Sequence, residues 1–215
     1  MLSHTFSHPG SEGLVPTLIA LHGYGSHAYD LVGLAPMLAG GRLLVICPQS
    51  PHRIEADVVG YSWAEGDVDG RTAASSIATS AQQVLAFMDT AVQQYPIDPE
   101  RLVLLGFSQG GMVAAHAALT APGRFAGLVL LSTTTDEERM GKLPVSPEAK
   151  RLPILIQHGA SDPTIPIIEA FSTSMLLQGQ GLQAELQQFP MRHEVSLESA
   201  ESLSNWLAKV LRMPE

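Results

Sequence analysis

The sequence predicts an α/β protein with a mostly parallel central sheet and helices on both faces. Two observations lead to this class: short apolar runs alternate with helical segments along the chain, and the runs are nearly unbroken. Parallel strands that are buried on both faces have such continuous apolar runs, and alternation with helices is typical of a parallel sheet. In sheets of this kind, sites lie beyond the carboxyl ends of the strands. We therefore look for functional residues in the loops that follow strands.

Six segments are predicted as strands because each is a short apolar run. They cover residues 17–21, 42–47, 101–107, 127–131, 153–157 and 183–189. Five segments between and after them are predicted as helices, at residues 27–39, 72–94, 109–119, 167–177 and 197–211. The long middle helix has one apolar stripe, from Ile77 to Val92, at steps of three, four and seven residues. Ser196 is a plausible N-cap of the last helix.

Composition limits the class of protein further. The chain has 215 residues, 45% of them hydrophobic, and no break in composition, so we expect a single domain over residues 1–215. The formal charge of −9 argues against nucleic acid or anionic lipid as partners. No apolar run approaches the roughly 20 residues of a membrane span, and the amino terminus lacks the features of a signal peptide. We therefore expect a cytoplasmic protein, with its lone Cys47 buried and inert.

Residues 106–110 read Gly-Phe-Ser-Gln-Gly, between an apolar run and a stretch of small, helix-forming residues. A G-x-S-x-G between a strand and a helix predicts a nucleophile elbow, a sharp turn that exposes a serine hydroxyl above the sheet. The glycines are needed because the turn is strained and its backbone passes close to neighbouring segments. We predict Ser108 as the nucleophile; the alternative is a structural Gly-Ser turn.

Acyl transfer also requires two backbone N–H donors aimed at one oxyanion. Gln109 follows the predicted nucleophile at a helix N-terminus, where the helix dipole favours negative charge. The second donor normally comes from a glycine-rich turn after an earlier strand, and Tyr24, between two glycines, suits it. The alternative is an ordinary glycine turn. His22 beside it is expected to be structural.

A catalytic acid and base are predicted in two later loops. Asp162 lies just past a strand, where a carboxylate can hold a histidine in the right tautomer. Asp136, past the strand before it, is the rival acid. His193 alone among eight histidines lies between the final strand and the final helix. The chain order Ser108, Asp162, His193 is that of α/β-hydrolases.

With these residues in place, the chain resembles the phospholipase/carboxylesterase family of α/β-hydrolases, which includes acyl-protein thioesterases and small bacterial carboxylesterases. The resemblance rests on LHGYGS at residues 21–26, the Ser-Trp pair at 62–63, GFSQGG at 106–111, HGASDPTIP at 158–166 and the histidine of MRHEV at 191–195. It implies an α/β-hydrolase fold and the triad named above, with Tyr24 and Gln109 supplying the oxyanion N–H groups.

The resemblance also implies that Trp63 lines the acyl or alcohol pocket; the alternative is that this residue is simply part of the core. Ile165 and Met112 are further candidates for an apolar groove beside the site. Arg192 stands where family members usually carry glycine, and we expect it to narrow the site or to attract an anionic leaving group. The stretch 133–152 is polar and charged where thioesterases often have an apolar surface.

The sequence therefore predicts a serine hydrolase that cleaves carboxylic esters of short to medium acyl chains through an acyl-enzyme. A thioesterase acting on acyl-protein or acyl-carrier thioesters is the alternative within the same class. A binding protein on a hydrolase scaffold is the alternative outside it, although such a protein should lack part of the machinery. We expect a small-molecule ester or thioester substrate, no metal, no cofactor, no nucleic acid, and either a monomer or a homodimer.

Overall fold

A mostly parallel sheet organises the chain. The computed structural model describes residues 2–10, 12–54, 59–65, 74–140 and 142–214, so positions 72 and 73 of the predicted middle helix lie outside the described residues. The strands are β1 (His4–Ser7), β2 (Val15–Leu21), β3 (Leu44–Pro48), β4 (His52–Ile54), β5 (Gly60–Ser62), β6 (Ile97–Phe107), β7 (Gly127–Leu131), β8 (Ile154–Gly159) and β9 (Ala184–Phe189). The helices are α1 (Tyr29–Val32), α2 (Ala74–Gln94), α3 (Gln109–Thr120), α4 (Glu137–Met140), α5 (Ile168–Gly179) and α6 (Leu197–Val210).

Seven of the described strands form the main sheet, in the order β1-β3-β2-β6-β7-β8-β9. The edge strand β1 is antiparallel to β3, and every other neighbouring pair in this sheet is parallel. Strands β4 and β5 form a separate antiparallel pair. The predicted class, an α/β fold with a mostly parallel sheet, is confirmed.

The inner strands β2, β3, β6, β7 and β8 bury side chains on both of their faces, as the unbroken apolar runs predicted. In β2, Ile19 and Leu21 pack into a core with α2, α3 and α5, whereas Leu18 and Ala20 pack into a second core with α1 and α6. Because successive side chains of a strand point to opposite faces, the two cores lie on opposite sides of the sheet. Helices therefore cover both faces.

The predicted helix at 27–39 is wrong in its extent. The chain forms only the short α1, followed by 3-10 turns over Ala35–Gly41 that contain a kink. Pro36 removes a backbone donor near the start of the second segment. The kink follows at Leu38, which is extended, and at Ala39 and Gly40, which have φ values of 47° and 65°.

Three short strands were not predicted. Strands β1, β4 and β5 have only three or four residues each, which is too short for a periodic pattern to be recognised. Strand β5 matters for the site, because it lies against the loop that follows β2. Among the described helices, none combines the length and apolar character needed to cross a membrane.

Candidate active site

Ser108 sits at the turn between β6 and α3 in a conformation that non-glycine residues rarely adopt. Its φ is 53° and its ψ is −121°, and such backbone strain costs about 1–3 kcal/mol. Two contacts hold the turn. The Ser108 N–H donates to the carbonyl of Leu131 at 2.9 Å, and the Thr133 hydroxyl donates to the carbonyl of Ser108 at 2.7 Å. The strand-to-helix turn is therefore held by hydrogen bonds from the end of β7 and from the loop that follows it.

The two glycines around Ser108 are required by close backbone contacts. A Cβ at Gly106 would lie 2.2 Å from the carbonyl oxygen of Gly110, and a Cβ at Gly110 would lie 2.3 Å from that of Leu21. Real side chains do not approach backbone atoms so closely, and a backbone obstacle cannot move aside. The G-x-S-x-G spacing is thus explained by packing: α3 starts directly against the end of β2.

Ser108, His193 and Asp162 form a continuous hydrogen-bonded chain. The distance from Ser108 Oγ to His193 Nε2 is 3.0 Å, and that from His193 Nδ1 to Asp162 Oδ2 is 2.7 Å. An ionised carboxylate can only accept, so Nδ1–H is the donor to Asp162. In the neutral ring, Nε2 is then left as the acceptor of the serine proton. Residues from three separate loops meet here, at the carboxyl ends of β6, β8 and β9.

Asp162 is held by more than the histidine. Its Oδ1 accepts hydrogen bonds from the backbone N–H groups of Thr164 at 2.8 Å and Ile165 at 2.9 Å, and its side chain is fully buried. Burial alone would raise the pKa of the Asp162 carboxyl, but the hydrogen bonds from His193 and from these N–H groups outweigh it and lower the pKa below its usual value. The carboxylate is therefore charged and oriented at neutral pH.

The two loops that carry Asp162 and His193 are bound to each other. The N–H of Ala160 donates to the carbonyl of Phe189 at 2.8 Å, and that of Ser161 donates to Met191 at 3.1 Å. A Cβ at Gly159 would lie 2.3 Å from the carbonyl of Arg192, so only glycine allows the second loop to cross the end of β8. These contacts tie the loop of the histidine to the loop of its carboxylate.

The glycine-rich loop after β2 passes over Ser108. A Cβ at Gly23, the residue before Tyr24, would lie 3.2 Å from the Cβ of Ser108, and Gln109 follows the serine as the first residue of α3. Strand β5 supports the loop, because the Gly25 N–H donates to the carbonyl of Tyr61 at 2.9 Å and the Tyr61 N–H donates to Ser26 at 3.0 Å. The loop that carries Tyr24 and the first turn of α3 thus both adjoin Ser108, and the oxyanion roles of Tyr24 and Gln109 stay predictions.

Trp63 has a different place from the one expected for a pocket wall. None of its side chain is exposed, and its indole N–H donates to the carbonyl of His22 at 2.9 Å. Its backbone N–H donates to Gln109 Oε1 at 2.8 Å, and Gln109 Nε2 donates to Ser62 Oγ at 3.1 Å. The prediction that Trp63 lines the substrate pocket is therefore corrected: the residue belongs to the core and ties the loop after β2 to the start of α3.

His22 is a structural, neutral histidine. The N–H of Ser50 donates to its Nε2 at 3.2 Å, so Nε2 carries no proton and Nδ1–H is the donor to the Gly23 carbonyl at 2.8 Å. Burial lowers the pKa of His22 to about 4, despite the hydrogen bond to Gly23. The ring therefore stays uncharged at neutral pH and fixes the loop that carries Tyr24.

The other predicted pocket residues are mostly buried. Ile165 is 3% exposed and Met112 5%, and both serve packing or backbone contacts rather than an open surface. Arg192 is exposed.

The rival acid, Asp136, caps the short α4 by accepting from the Glu138 N–H, and it makes no hydrogen bond or ion pair with His193 in the described structure. The stretch 133–152 is only partly a polar surface, because Thr133 is buried against the serine turn.

A cavity of about 300 Å³ adjoins His193 on the α1 side, and sequence reasoning missed it. Its walls come from three parts of the chain that no motif connects: Asp30, Leu31, Leu34, Phe107, His193, Glu194 and Val195. The Phe107 ring also packs on the imidazole of His193, with ring centroids 4.9 Å apart. Phe107 lies in the GFSQGG segment and three lining residues lie in MRHEV, whereas Asp30, Leu31 and Leu34 lie in none of the motifs that the sequence analysis quoted.

No group of three or more histidine, cysteine, aspartate or glutamate side chains with the geometry of a metal site occurs among the described residues. Cys47 is buried, and burial raises the pKa of its thiol to about 12. A thiol in this state is not a nucleophile at neutral pH.

The parallel sheet and the chain order of serine, aspartate and histidine in its loops define an α/β-hydrolase. The chain matches the Phospholipase/Carboxylesterase family over residues 8–211, and it belongs to that family. It is thus a hydrolase of the carboxylesterase and thioesterase type.

Named relatives and solved structures agree with this class. A probable carboxylesterase of Oryza sativa subsp. japonica is 29% identical over 139 residues, covering 64% of this chain and 52% of the rice protein. Acyl-protein thioesterase 1 of Cryptococcus neoformans is 25% identical, covering 94% of both chains. The crystal structure of esterase PE8 superposes with a TM-score of 0.81 at 24% identity, over 97% of this chain and 99% of that one. At that identity the likeness to PE8 concerns the fold.

The lowered pKa of Asp162 makes the stability of the protein depend on pH. A carboxyl whose pKa is lower in the folded state stabilises the fold above its unfolded pKa of about 3.9, and this contribution is lost as the pH falls through the folded value. We expect Asp162→Asn to reduce the free energy of unfolding at pH 7. The difference from the wild type should shrink below about pH 4.

Urea unfolding at pH 7, 5, 4 and 3 measures this difference. Glu137→Gln, an exposed acid on α4, is the matched control and should show little change at any of these pH values. If the free energy of unfolding of Asp162→Asn is lower than that of the wild type by the same amount from pH 7 to pH 3, the assignment of a stabilising charge to Asp162 is contradicted.

Proposed function

We propose that this protein is a serine carboxylesterase that acts on short to medium acyl esters through a covalent acyl-enzyme. The observation that carries the proposal is the hydrogen-bonded chain from Ser108 through His193 to the buried Asp162, at 3.0 and 2.7 Å. A nucleophile within hydrogen-bond reach of a base, with the base oriented by a third group, is the arrangement that nucleophilic catalysis needs.

In the acylation step, His193 Nε2 takes the proton of Ser108 as Oγ attacks the carbonyl carbon of the ester. The carbonyl oxygen becomes an oxyanion, and the backbone N–H groups of Tyr24 and Gln109 stabilise it. When the tetrahedral intermediate collapses, the C–O bond to the alcohol breaks and the proton on Nε2 passes to the leaving oxygen. Asp162 stabilises the imidazolium that exists between these two transfers.

Deacylation repeats the same steps with water as the nucleophile. His193 takes a proton from the water molecule, which attacks the acyl carbon and forms a second oxyanion in the same place. Collapse of this intermediate breaks the bond to Ser108 Oγ, and Nε2 returns the proton to the serine. The products are the free acid and the resting enzyme.

A thioesterase is the second candidate, and one observation favours it: a relative that aligns over 94% of this chain is named acyl-protein thioesterase 1. Thiolates leave easily, so the same triad and oxyanion donors serve both reactions. Turnover of an ester and a thioester with the same acyl group distinguishes the two. The cytoplasmic location, the single domain and the monomeric or dimeric state stay predictions of the sequence.

Replacing Ser108 removes the proposed nucleophile. We expect Ser108→Ala to lower kcat by about 10⁴-fold or more towards 4-nitrophenyl butyrate and towards a butyryl thioester, because Ala offers no oxygen to acylate. Ser172→Ala, an exposed serine on α5, is the matched control and should keep wild-type kcat. Undiminished turnover by Ser108→Ala would exclude the proposed mechanism.

Trp63 is expected to act as a positioning residue. Trp63→Phe removes the indole donor to the His22 carbonyl, which loosens the loop that carries Tyr24. A lost hydrogen bond of about 1.4 kcal/mol corresponds to about a tenfold fall in kcat, with KM little changed. Steady-state kinetics with 4-nitrophenyl butyrate measures both constants.

Trp206→Phe is the matched control, because this second buried tryptophan lies on α6 and packs in the other core, against the start of β7 at Gly127. We expect Trp206→Phe to leave kcat and KM within about twofold of the wild type. This result would show that a buried Trp-to-Phe change does not by itself alter the kinetics. A rise in KM at unchanged kcat for Trp63→Phe would indicate a pocket wall instead of a positioning role.

A further inference from the structure

The cavity beside His193 combines apolar walls with an acidic rim. Leu31, Leu34 and Val195 supply aliphatic surface, and Phe107 supplies an aromatic ring. Asp30 and Glu194 also line the cavity, and both are exposed. Its volume of about 300 Å³ is at the lower limit of known ligand pockets, which span about 300–1,000 Å³. It therefore fits a small group.

The chemistry of the site indicates which part of a substrate this cavity would receive. In the proposed mechanism the proton taken by His193 Nε2 passes to the leaving oxygen or sulfur, so the leaving group must face the imidazole. The cavity is lined by His193 and by Phe107, the residue before the nucleophile. Tyr24 and Gln109, whose backbone N–H groups are the proposed oxyanion donors, are not among its described lining residues.

Its charge indicates what kind of leaving group is favoured. Asp30 Oδ2 accepts from Ser26 Oγ at 2.7 Å and Glu194 Oε1 accepts from the Arg192 N–H at 3.2 Å, and these bonds hold both carboxylates at the cavity. The Arg192 side chain is not among the described lining residues, and the two carboxylates of the lining are its acidic groups. An aromatic ring with nearby carboxylates is a favourable environment for an ammonium group.

We propose that this cavity is a leaving-group site for small alcohols or thiols that carry a positive charge, so that cationic esters or thioesters are the preferred substrates. This inference rests on the proposed function of Ser108 and His193. It goes further by assigning a charge preference to residues outside the triad and outside the oxyanion loop, namely Asp30 and Glu194.

Three butyrate esters of similar size test the preference. They are butyrylcholine, its neutral isostere 3,3-dimethylbutyl butyrate, and an ester whose alcohol carries a carboxylate. At low ionic strength we expect kcat/KM to fall about three- to tenfold from the cationic to the neutral ester, as two exposed carboxylates would produce. The anionic ester should be the poorest of the three.

Variants at the rim should remove the preference. Asp30→Asn with Glu194→Gln should bring the cationic-to-neutral ratio of kcat/KM close to one. Glu100→Gln removes a charge near the amino end of β6, eight positions and about 26 Å before Ser108, and should keep the wild-type ratio. In the wild type, the ratio should shrink between about 0.02 M and about 0.5 M salt because the ions screen exposed charges.

The inference is overturned if the cationic-to-neutral ratio of kcat/KM is near one for the wild type at low salt. It is also overturned if the double variant has the same ratio as the wild type. If the double variant does not fold, the salt dependence of the wild-type ratio decides alone, and a ratio that is constant across the salt range overturns the inference. A wild type that hydrolyses none of these esters or 4-nitrophenyl butyrate would instead contradict the proposed function.

Discussion

The close approach of the backbone at Gly106 and Gly110 is the constraint on which the rest of the site depends. Strand β6 must turn within one residue into α3, and α3 must start against the carbonyls that end β2. At this turn Ser108 adopts a strained backbone conformation, with a φ of 53°. Since the central strands are packed on both faces, the turn cannot relax. The serine hydroxyl is therefore held at a fixed point above the sheet.

Polar networks then place the other loops around that point. On one side, neutral His22 and buried Trp63 fix the loop that carries Tyr24. On the other side, Asp162 collects hydrogen bonds from His193 and from two backbone N–H groups. Because these groups are held by hydrogen bonds, their dipoles need little reorganisation when charge develops at Ser108 and His193 in the proposed mechanism. The same hydrogen bonds therefore hold the loops in place and orient the groups of the proposed chemistry.

Much of this arrangement follows from sequence, and the exceptions have physical reasons. The strands around Ser108 were predicted because burial on both faces leaves unbroken apolar runs, and the loop residues followed from strand order. Trp63 was misplaced because a motif does not indicate which way an indole points. The cavity at Asp30 and Glu194 could not be predicted, since it depends on tertiary contact between the short α1 and the loop after β9.

The central claim is that the turn at Ser108 holds a serine nucleophile that His193 activates. Reaction with diethyl 4-nitrophenyl phosphate, followed by intact mass and peptide mapping, tests it directly. The account predicts release of about one equivalent of 4-nitrophenolate, with one diethylphosphoryl group on the peptide that contains Ser108. A label on another residue, or an unmodified protein that still hydrolyses esters, would contradict it.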